Sequence, residues 1–186
     1  MMRIVRAHGW VRQVENKDKW VNLYKDFDPK FLFVNDGYNL RITEPQAAMG
    51  ILQIDKIDNF IKSRKENAKK YLSKFDSLSD FFTFQTTSKD SENSHFGFPL
   101  ILKNNKYFNR NEICTYLNKS GVETRPIIAG NLARQPANSL FEHRISGSLE
   151  NSDYIMDNGF SVGVHQSLSD DAIDYVYDKV KDFVNF

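Results

Sequence analysis

One stretch, residues 37–75, constrains the fold of this 186-residue chain more than any other. Thr43 can cap a helix, Gln46 completes a capping box three residues later, and Pro45 suits the first turn, where no backbone donor is needed. This start predicts one amphipathic helix over residues 43–75, about 45 Å long, which is long enough to connect two parts of a protein. Its apolar residues recur at a spacing of three and four, at Ala47, Ile51, Ile54, Ile57, Ile61, Ala68, Leu72 and Phe75.

The composition argues against several classes of function. The 25 Lys and Arg residues balance the 24 Asp and Glu residues, which does not indicate a nucleic-acid or polyanion surface. No apolar run approaches the length of a membrane span and no signal peptide opens the chain, so the expected compartment is the cytoplasm. The single cysteine, Cys114, excludes an internal disulfide and is expected to be a buried helix residue.

The first forty residues do not have the pattern of an independent domain. The opening residues are typical of the last turns of a helix that ends at Gly9. Residues 11–33 then carry scattered aromatic and charged side chains without a clear period. We interpret this segment as an arm that lies on another subunit or as part of a larger body, and we expect the chain to be incomplete at its N-terminus.

Strands and helices are expected to alternate after residue 75. Strands are predicted within residues 95–103, 122–128 and 160–165, the first in the centre of a sheet and the second, which contains Pro126, at an edge. This order predicts an α/β layer in which helices cover a small sheet. The predicted helix caps are Asn109 or Asn111, Asn151 or Ser152, and Ser169.

Polar residues at the ends of these elements are the first candidates for a site. Asn39 and Arg41 stand just before a helix N-terminus, a place suited to a phosphate, although a turn residue and a surface charge would give the same pattern. The four histidines have no metal-ligand spacing, so a metal site is not expected. His165 follows a strand and precedes a capped helix, where a histidine either faces a cleft or is structural.

The loop over residues 125–136 is the second candidate region. It places two arginines and two amides around Gly130. Guanidinium groups bind diphosphate by paired hydrogen bonds and amides recognise sugar hydroxyls, whereas the alternative is an ordinary polar loop. The residues concerned are Arg125, Asn131, Arg134 and Gln135.

Several motifs resemble a known family. RAHGW at residues 6–10, followed by GYNLRITEPQAAMG at residues 37–50, resembles the C-terminal half of the DegT-type sugar aminotransferases. These are vitamin B6 enzymes of the aspartate-aminotransferase fold that act on nucleotide-linked keto-sugars. FGFPLIL, GVETRPIIAGNLARQP and NSDYIMDNGFSVGVHQSLS resemble a narrower branch, the 3-dehydratases of GDP- or CDP-linked 4-keto-6-deoxyhexoses.

The resemblance implies a fold and a division of the chain. The fold would be α/β, the C-terminal small domain of the fold-type-I architecture. Residues 1–42 would be an arm belonging to the large cofactor-binding domain, residues 43–75 an interdomain helix, and residues 76–186 the small domain. The catalytic base of the family, a histidine in the dehydratases or a lysine in the aminotransferases, would lie upstream of Met1. This chain would then hold no catalytic residue and would be inactive alone.

The resemblance also implies a cofactor, pyridoxal or pyridoxamine 5′-phosphate, and a homodimer. Asn39 would reach the cofactor phosphate of the neighbouring subunit, with Arg41 close to it. The iron–sulfur type of 3-dehydrase is not expected, because residues 11–36 contain no cysteine. The side chains assigned to the nucleotide-sugar would be Arg125, Asn131, Arg134, Gln135, His165 and His8.

Three functions remain open at this point. The first is 3-dehydration of a nucleotide-linked 4-keto-6-deoxyhexose in deoxysugar and lipopolysaccharide O-antigen biosynthesis. The second is transfer of an amine to the same class of sugar. The third is a non-catalytic binding domain or a gene relic. The first two differ chiefly in the upstream histidine or lysine.

Overall fold

The computed structural model describes residues 1–12, 14–104 and 106–185. Contacts within the chain divide it into two compact units, unit 1 over Met1–Asp55 and unit 2 over Lys56–Phe186. These bounds differ from the predicted divisions after residues 42 and 75. None of the helices in the described residues combines the length and apolar character needed to cross a membrane.

Unit 1 contains helices α1 (Met2–Val5), α2 (Lys17–Leu23) and α3 (Glu44–Ile54), joined by irregular backbone. A small apolar cluster forms its core, with Ile4, Val11 and Leu32 buried. The sequence shows no period here because the contacts join residues that are distant in the chain. Side chains packed around this cluster are Val14, Trp20, Val21 and Val34.

Aromatic stacking fixes the irregular part of unit 1. The ring of Trp10 stacks with those of Phe31 and Phe33, with centroids 6.0 and 5.9 Å away. The indole Nε1 of Trp10 donates a hydrogen bond to the carbonyl oxygen of Lys30 over 2.8 Å. The scattered aromatic residues of the sequence therefore form a local structure within this unit.

The prediction of one continuous helix over residues 43–75 is wrong. The structure has α3 and a second helix, α4 (Ile57–Phe75), separated at Asp55 and Lys56. Both of these residues are exposed, and aspartate has a lower helix propensity than most residues, so no buried contact of their side chains offsets the weak propensity of Asp55. The predicted start is confirmed, because Thr43 caps α3 and forms a capping box with Gln46.

The apolar stripe predicted along this stretch is buried only at its end. In α4, Ala68 and Phe75 are completely buried, as the spacing predicts. In α3, by contrast, Ile51 and Ile54 are 63% and 69% exposed, and none of its residues is buried. Periodicity identified the helical conformation correctly, but it could not show which part of the stripe meets a core in this chain.

The sheet of unit 2 is formed by β1 (Phe82–Phe84), β2 (Phe98–Leu102), β3 (Thr124–Pro126) and β4 (Gly159–Val162). The strands follow the order β1–β2–β4–β3, and each neighbouring pair is antiparallel. The central position of β2 and the edge position of β3 are both confirmed. β2 alternates buried and half-buried residues, as a strand covered on one face and partly covered on the other does.

Helices α5 (Arg110–Lys119), α6 (Glu150–Asn158) and α7 (Asp170–Val184) complete unit 2. Two predicted caps are confirmed: Asn109 Oδ1 accepts from the amides of Asn111 and Glu112, and Ser169 Oγ accepts from the amide of Ala172. The predicted cap of α6 is wrong, because this helix begins without a side-chain cap. Cys114 lies in α5 as predicted, but it is half-buried rather than buried, and its partial burial raises the pKa of its thiol.

The core of unit 2 lies between the sheet and its helices. The α/β class is therefore confirmed, with α4 contributing to this core. The ring of Tyr71 stacks on that of Phe98, with centroids 4.9 Å apart, and joins α4 to the centre of the sheet. Completely buried members of this core are Ala68, Tyr71, Phe75, Leu100, Ile113, Leu117, Ile173 and Val180.

Candidate functional site

Backbone pairing in unit 1 brings two sequence motifs together. Ala7, within residues 6–10, forms an antiparallel bridge with Asn39, within residues 37–50. The amide of His8 donates to the carbonyl oxygen of Tyr38 over 3.0 Å. His8 and Asn39, both candidates from the sequence, therefore lie close together and both are exposed.

Two glycines permit this close pairing. Gly9 has a φ of +82°, and a Cβ at this position would lie 1.6 Å from the carbonyl oxygen of Asn35. A Cβ on Gly37 would lie 2.3 Å from the amide nitrogen of Gly9 and 2.5 Å from the carbonyl oxygen of Val5. Both positions require glycine because backbone packs directly on backbone. Close backbone packing therefore explains why the motifs at residues 6–10 and 37–50 carry Gly9 and Gly37.

The side chains of Asn39 and Arg41 are available for a ligand. Both residues are exposed, and neither side chain makes a hydrogen bond or ion pair with any described residue. An amide and a guanidinium group supply N–H donors of the kind that phosphate oxygens accept. The two residues therefore fit a phosphate group by their chemistry.

The N-terminus of α3 contributes less to such a site than the sequence indicated. The amide of Thr43 donates to Gln46 Oε1 over 3.0 Å, and the capping box turns the amide of Gln46 toward Thr43. Pro45 has no amide hydrogen, and Glu44 places a negative charge in the first turn. Phosphate binding at this point would rest on the two side chains rather than on the helix end.

Both candidate arginines of unit 2 are paired with carboxylates. Arg125 donates through Nε and Nη2 to Glu123 Oε1, over 2.9 and 2.6 Å. Arg134 donates through Nε to Asp153 Oδ1 over 2.9 Å and through Nη2 to Asp153 Oδ2 over 2.7 Å. A diphosphate bound by these two guanidinium groups, as the sequence predicts, would therefore also lie near two carboxylates that repel it.

Asp153 holds a second candidate as well. The amide Nδ2 of Asn131 donates to Asp153 Oδ1 over 2.8 Å, and Asn131 is only 5% exposed. The hydrogen bonds from Arg134 and Asn131 lower the pKa of Asp153 to about 2. Asp153 is not among the residues predicted from the sequence, because a carboxylate within a helix pattern gives no signal of a partner 19 residues away.

The loop that carries these residues has a constrained backbone. Ile128 has a φ of +44°, a conformation that β-branched residues rarely adopt. Gly130 has a φ of +64°, and a Cβ there would lie 2.4 Å from Met156 Cγ in α6. Gln135 Nε2 donates to the carbonyl oxygen of Ala129 over 2.8 Å and closes the loop. The loop is therefore fixed to α6 by packing as well as by Asp153.

His165 lies away from this loop. Thr124 pairs with Val162 and Pro126 pairs with Phe160, so the loop and His165 leave the strand pair at opposite ends. Nδ1 of His165 accepts from the amide of Ser167 over 3.2 Å, which leaves Nε2 as the protonated nitrogen of the neutral ring. His165 and the loop therefore lie at opposite ends of this strand pair, and the structure does not bring them together.

The family is decided by the extent of the sequence match. The sequence profile of the DegT/DnrJ/EryC1/StrS aminotransferase family matches residues 1–181. The chain belongs to this family. Within it, the chain is 36% identical over 180 residues to the GDP-4-keto-6-deoxy-D-mannose 3-dehydratase of Escherichia coli, covering 95% of this chain and 46% of that enzyme.

Two further comparisons agree with this assignment. The chain is 35% identical over 162 residues to the lipopolysaccharide biosynthesis protein RfbH of Salmonella typhimurium, covering 87% of this chain and 37% of that protein. The solved structure of E. coli GDP-4-keto-6-deoxy-D-mannose-3-dehydratase with bound hydrated PLP matches with a TM-score of 0.83 and 34% identity, covering 96% of this chain and 46% of that one. The chain spans less than half the length of each of these relatives.

Membership of the DegT/DnrJ/EryC1/StrS family confirms the resemblance and the fold predicted from the motifs. The candidate residues fall into two groups within this fold. His8, Asn39 and Arg41 belong to unit 1 and include the pair that fits a phosphate. The candidates that belong to unit 2 are Arg125, Asn131, Arg134, Gln135 and His165.

Proposed function

We propose that this chain is the second half of a vitamin B6-dependent enzyme that removes the C3 hydroxyl from a nucleotide-linked 4-keto-6-deoxyhexose. The observation that carries this proposal is the match to the E. coli dehydratase in both sequence and structure over almost the whole chain. The product class is a deoxysugar, and the similarity to RfbH supports a place in lipopolysaccharide biosynthesis.

The cofactor of this proposal is pyridoxal or pyridoxamine 5′-phosphate, which supplies an electron sink when it is bound. Asn39 and Arg41 would hold its phosphate through the free N–H donors of their side chains. The phosphate would belong to the neighbouring subunit, so a homodimer is part of the proposal. The pairing of Ala7 with Asn39 supports it, because backbone pairing sets where the Asn39 side chain emerges.

The nucleotide-sugar would contact the loop of unit 2. Arg134 retains Nη1 as a donor, and Gln135 is exposed beside it. Arg125, Asn131, His165 and His8 complete the assigned set, with His165 able to donate from Nε2 at the other end of the strand pair. These residues bind and orient the substrate, while the proton is removed by a base that lies upstream in the complete enzyme.

The same proposal assigns the parts of the chain. Residues 1–42 form an arm of the large cofactor-binding domain, residues 43–75 connect the domains, and residues 76–186 form the small domain. The 186-residue chain alone would not turn over a nucleotide-sugar, because the base for C3 would lie upstream of Met1.

The coding sequence upstream of Met1 tests this function against the alternatives. The proposal predicts an open reading frame that encodes a B6-binding domain with a histidine as the base. A lysine at that position would make the enzyme an aminotransferase of the same sugars. A stop codon directly before Met1 would contradict the proposal and favour a binding domain or a relic.

A further inference from the structure

Asp153 fixes the orientation of the Arg134 guanidinium group. Two parallel hydrogen bonds, from Nε and Nη2, hold the plane of the group against the plane of the carboxylate. The side chain of Arg134 is 51% exposed, whereas that of Asp153 is 30% exposed. The arginine is therefore held from the side of α6 while its other edge faces solvent.

The third nitrogen of this guanidinium group is free to bind a ligand. Nη1 of Arg134 carries two N–H donors and makes no hydrogen bond with the residues that the structure describes. Because Nε and Nη2 are engaged, the plane of the guanidinium group is fixed, and the two N–H bonds of Nη1 have fixed directions in that plane. The buried amide of Asn131 supports the same carboxylate, so the carboxylate itself is held from two sides.

The charge of this arrangement favours an uncharged acceptor. Asp153 cancels the positive charge of Arg134, and Glu123 does the same for Arg125. A diphosphate near these residues would meet two carboxylates as well as two guanidinium groups. A hydroxyl or carbonyl oxygen accepts an N–H donor without this repulsion.

We propose that Asp153 is a positioning residue for the nucleotide-sugar, which aims Nη1 of Arg134 at an uncharged oxygen of the sugar or the base. This inference rests on the proposed function. It assigns a role to a residue that does not itself touch the ligand. In this proposal the loop over residues 125–136 recognises the sugar or the base, and other residues bind the diphosphate.

The first test uses the 186-residue chain alone. The Nε–H of Arg134 is expected to give a slowly exchanging signal in a nitrogen-15 NMR spectrum, because it is hydrogen-bonded to Asp153. Asp153→Ala removes both acceptor oxygens and should abolish that protection. Asp157→Ala is the matched control, since it removes a carboxylate from an exposed position of α6 and should leave the signal unchanged. Equal exchange rates of the Arg134 Nε–H in all three proteins would show that Asp153 does not hold Arg134. This result would overturn the inference whether or not the chain supports catalysis.

The second test uses a complete enzyme, in which this chain is fused after the first half of the E. coli dehydratase. Asp153→Asn is expected to raise the KM for the GDP-linked keto-sugar on the order of tenfold while leaving kcat within about twofold. Arg134→Lys should have the same effect, because lysine keeps the positive charge but lacks the planar N–H donors of the guanidinium group. Asp157→Asn should change neither constant.

Inhibition by GDP distinguishes the two possible acceptors. If Arg134 meets the base, Asp153→Asn weakens inhibition by GDP to the same extent as it raises the KM. If Arg134 meets the sugar, inhibition by GDP is unchanged. Stronger inhibition by GDP would overturn the inference, because it would mean that Asp153 repels a diphosphate bound at Arg134. An unchanged KM in an active fusion would also overturn it, whereas an inactive unmodified fusion would count against the proposed function.

Discussion

Tyr71 shows how a single buried group can reduce stability. Its side chain is completely buried, and its hydroxyl has no hydrogen-bond partner in the described residues. Burial raises the pKa of this hydroxyl to about 12, because ionisation would place a charge in the core. A buried hydroxyl without a partner costs about 1–3 kcal/mol.

Replacing Tyr71 by phenylalanine should therefore stabilise unit 2. Tyr71→Phe is expected to raise the free energy of unfolding by about 1 kcal/mol in urea denaturation, because the ring contacts remain and the unpaired hydroxyl is removed. Tyr177→Phe is the control, since its hydroxyl has a hydrogen bond with Ser77 of 2.9 Å, and it should lower stability slightly. A loss of stability in Tyr71→Phe would show that its hydroxyl does have a partner.

The stability of the loop over residues 125–136 is expected to depend on pH through Asp153. Its pKa in the folded chain is about 2, below its ordinary value, so the folded state binds the proton less readily than the unfolded state. The stabilising contribution is then complete above the ordinary value of about 4 and is lost as the pH falls toward 2. Protection of the Arg134 Nε–H, followed by NMR, should persist at pH 4 and disappear near pH 2. Loss of protection already near pH 4 would contradict the lowered pKa.

Single residues also mark the limit of prediction from the sequence. Asn39, Arg134 and their neighbours could be selected because amides and guanidinium groups at loop positions are suited to phosphates and sugars. Asp153 could not, since its partners are far away in the sequence and the contact depends on how the loop folds over α6. The backbone conformation of Ile128 could not be predicted either, because an isoleucine in the sequence does not indicate a φ of +44°.

At the scale of elements, the pairing of the two N-terminal motifs depends on Gly37. Gly37→Ala is expected to destabilise unit 1, because its Cβ would collide with backbone atoms 2.3 and 2.5 Å away that cannot move independently. Gly50→Ala is the matched control in α3, where nothing lies within 4 Å of the added Cβ, and it should stabilise the helix by about 0.5–1 kcal/mol. Circular dichroism during thermal unfolding measures both changes. Equal effects of the two substitutions would contradict the close packing.

The elements themselves were predicted to different degrees. Caps such as Asn109 and Ser169 fixed the helices that follow them, because a polar side chain before an apolar period satisfies free amides. The break after α3 was not visible, since Asp55 and Lys56 fit the helix pattern and the sequence carries no glycine or proline there. The segment over residues 11–33 had no period, because its structure rests on stacking around Trp10.

At the scale of the whole chain, the two units differ in how much core they contain. The core of unit 2 joins the sheet to α4, α5 and α7, whereas the core of unit 1 centres on Ile4, Val11 and Leu32. Residues 56–186 are therefore expected to fold alone with a cooperative transition, and residues 1–55 are not. Far-ultraviolet circular dichroism and urea denaturation of the two fragments test this. A cooperative transition in residues 1–55 alone would contradict the expectation.

The measurement that tests the central claim most directly is turnover by the fusion of this chain to the first half of the E. coli dehydratase. The account predicts that the fusion retains pyridoxal 5′-phosphate and removes the C3 hydroxyl of GDP-4-keto-6-deoxy-D-mannose, because this chain would supply the proposed phosphate and sugar contacts. The 186-residue chain alone should show no turnover. A folded dimeric fusion that neither retains the cofactor nor consumes the sugar would contradict the account.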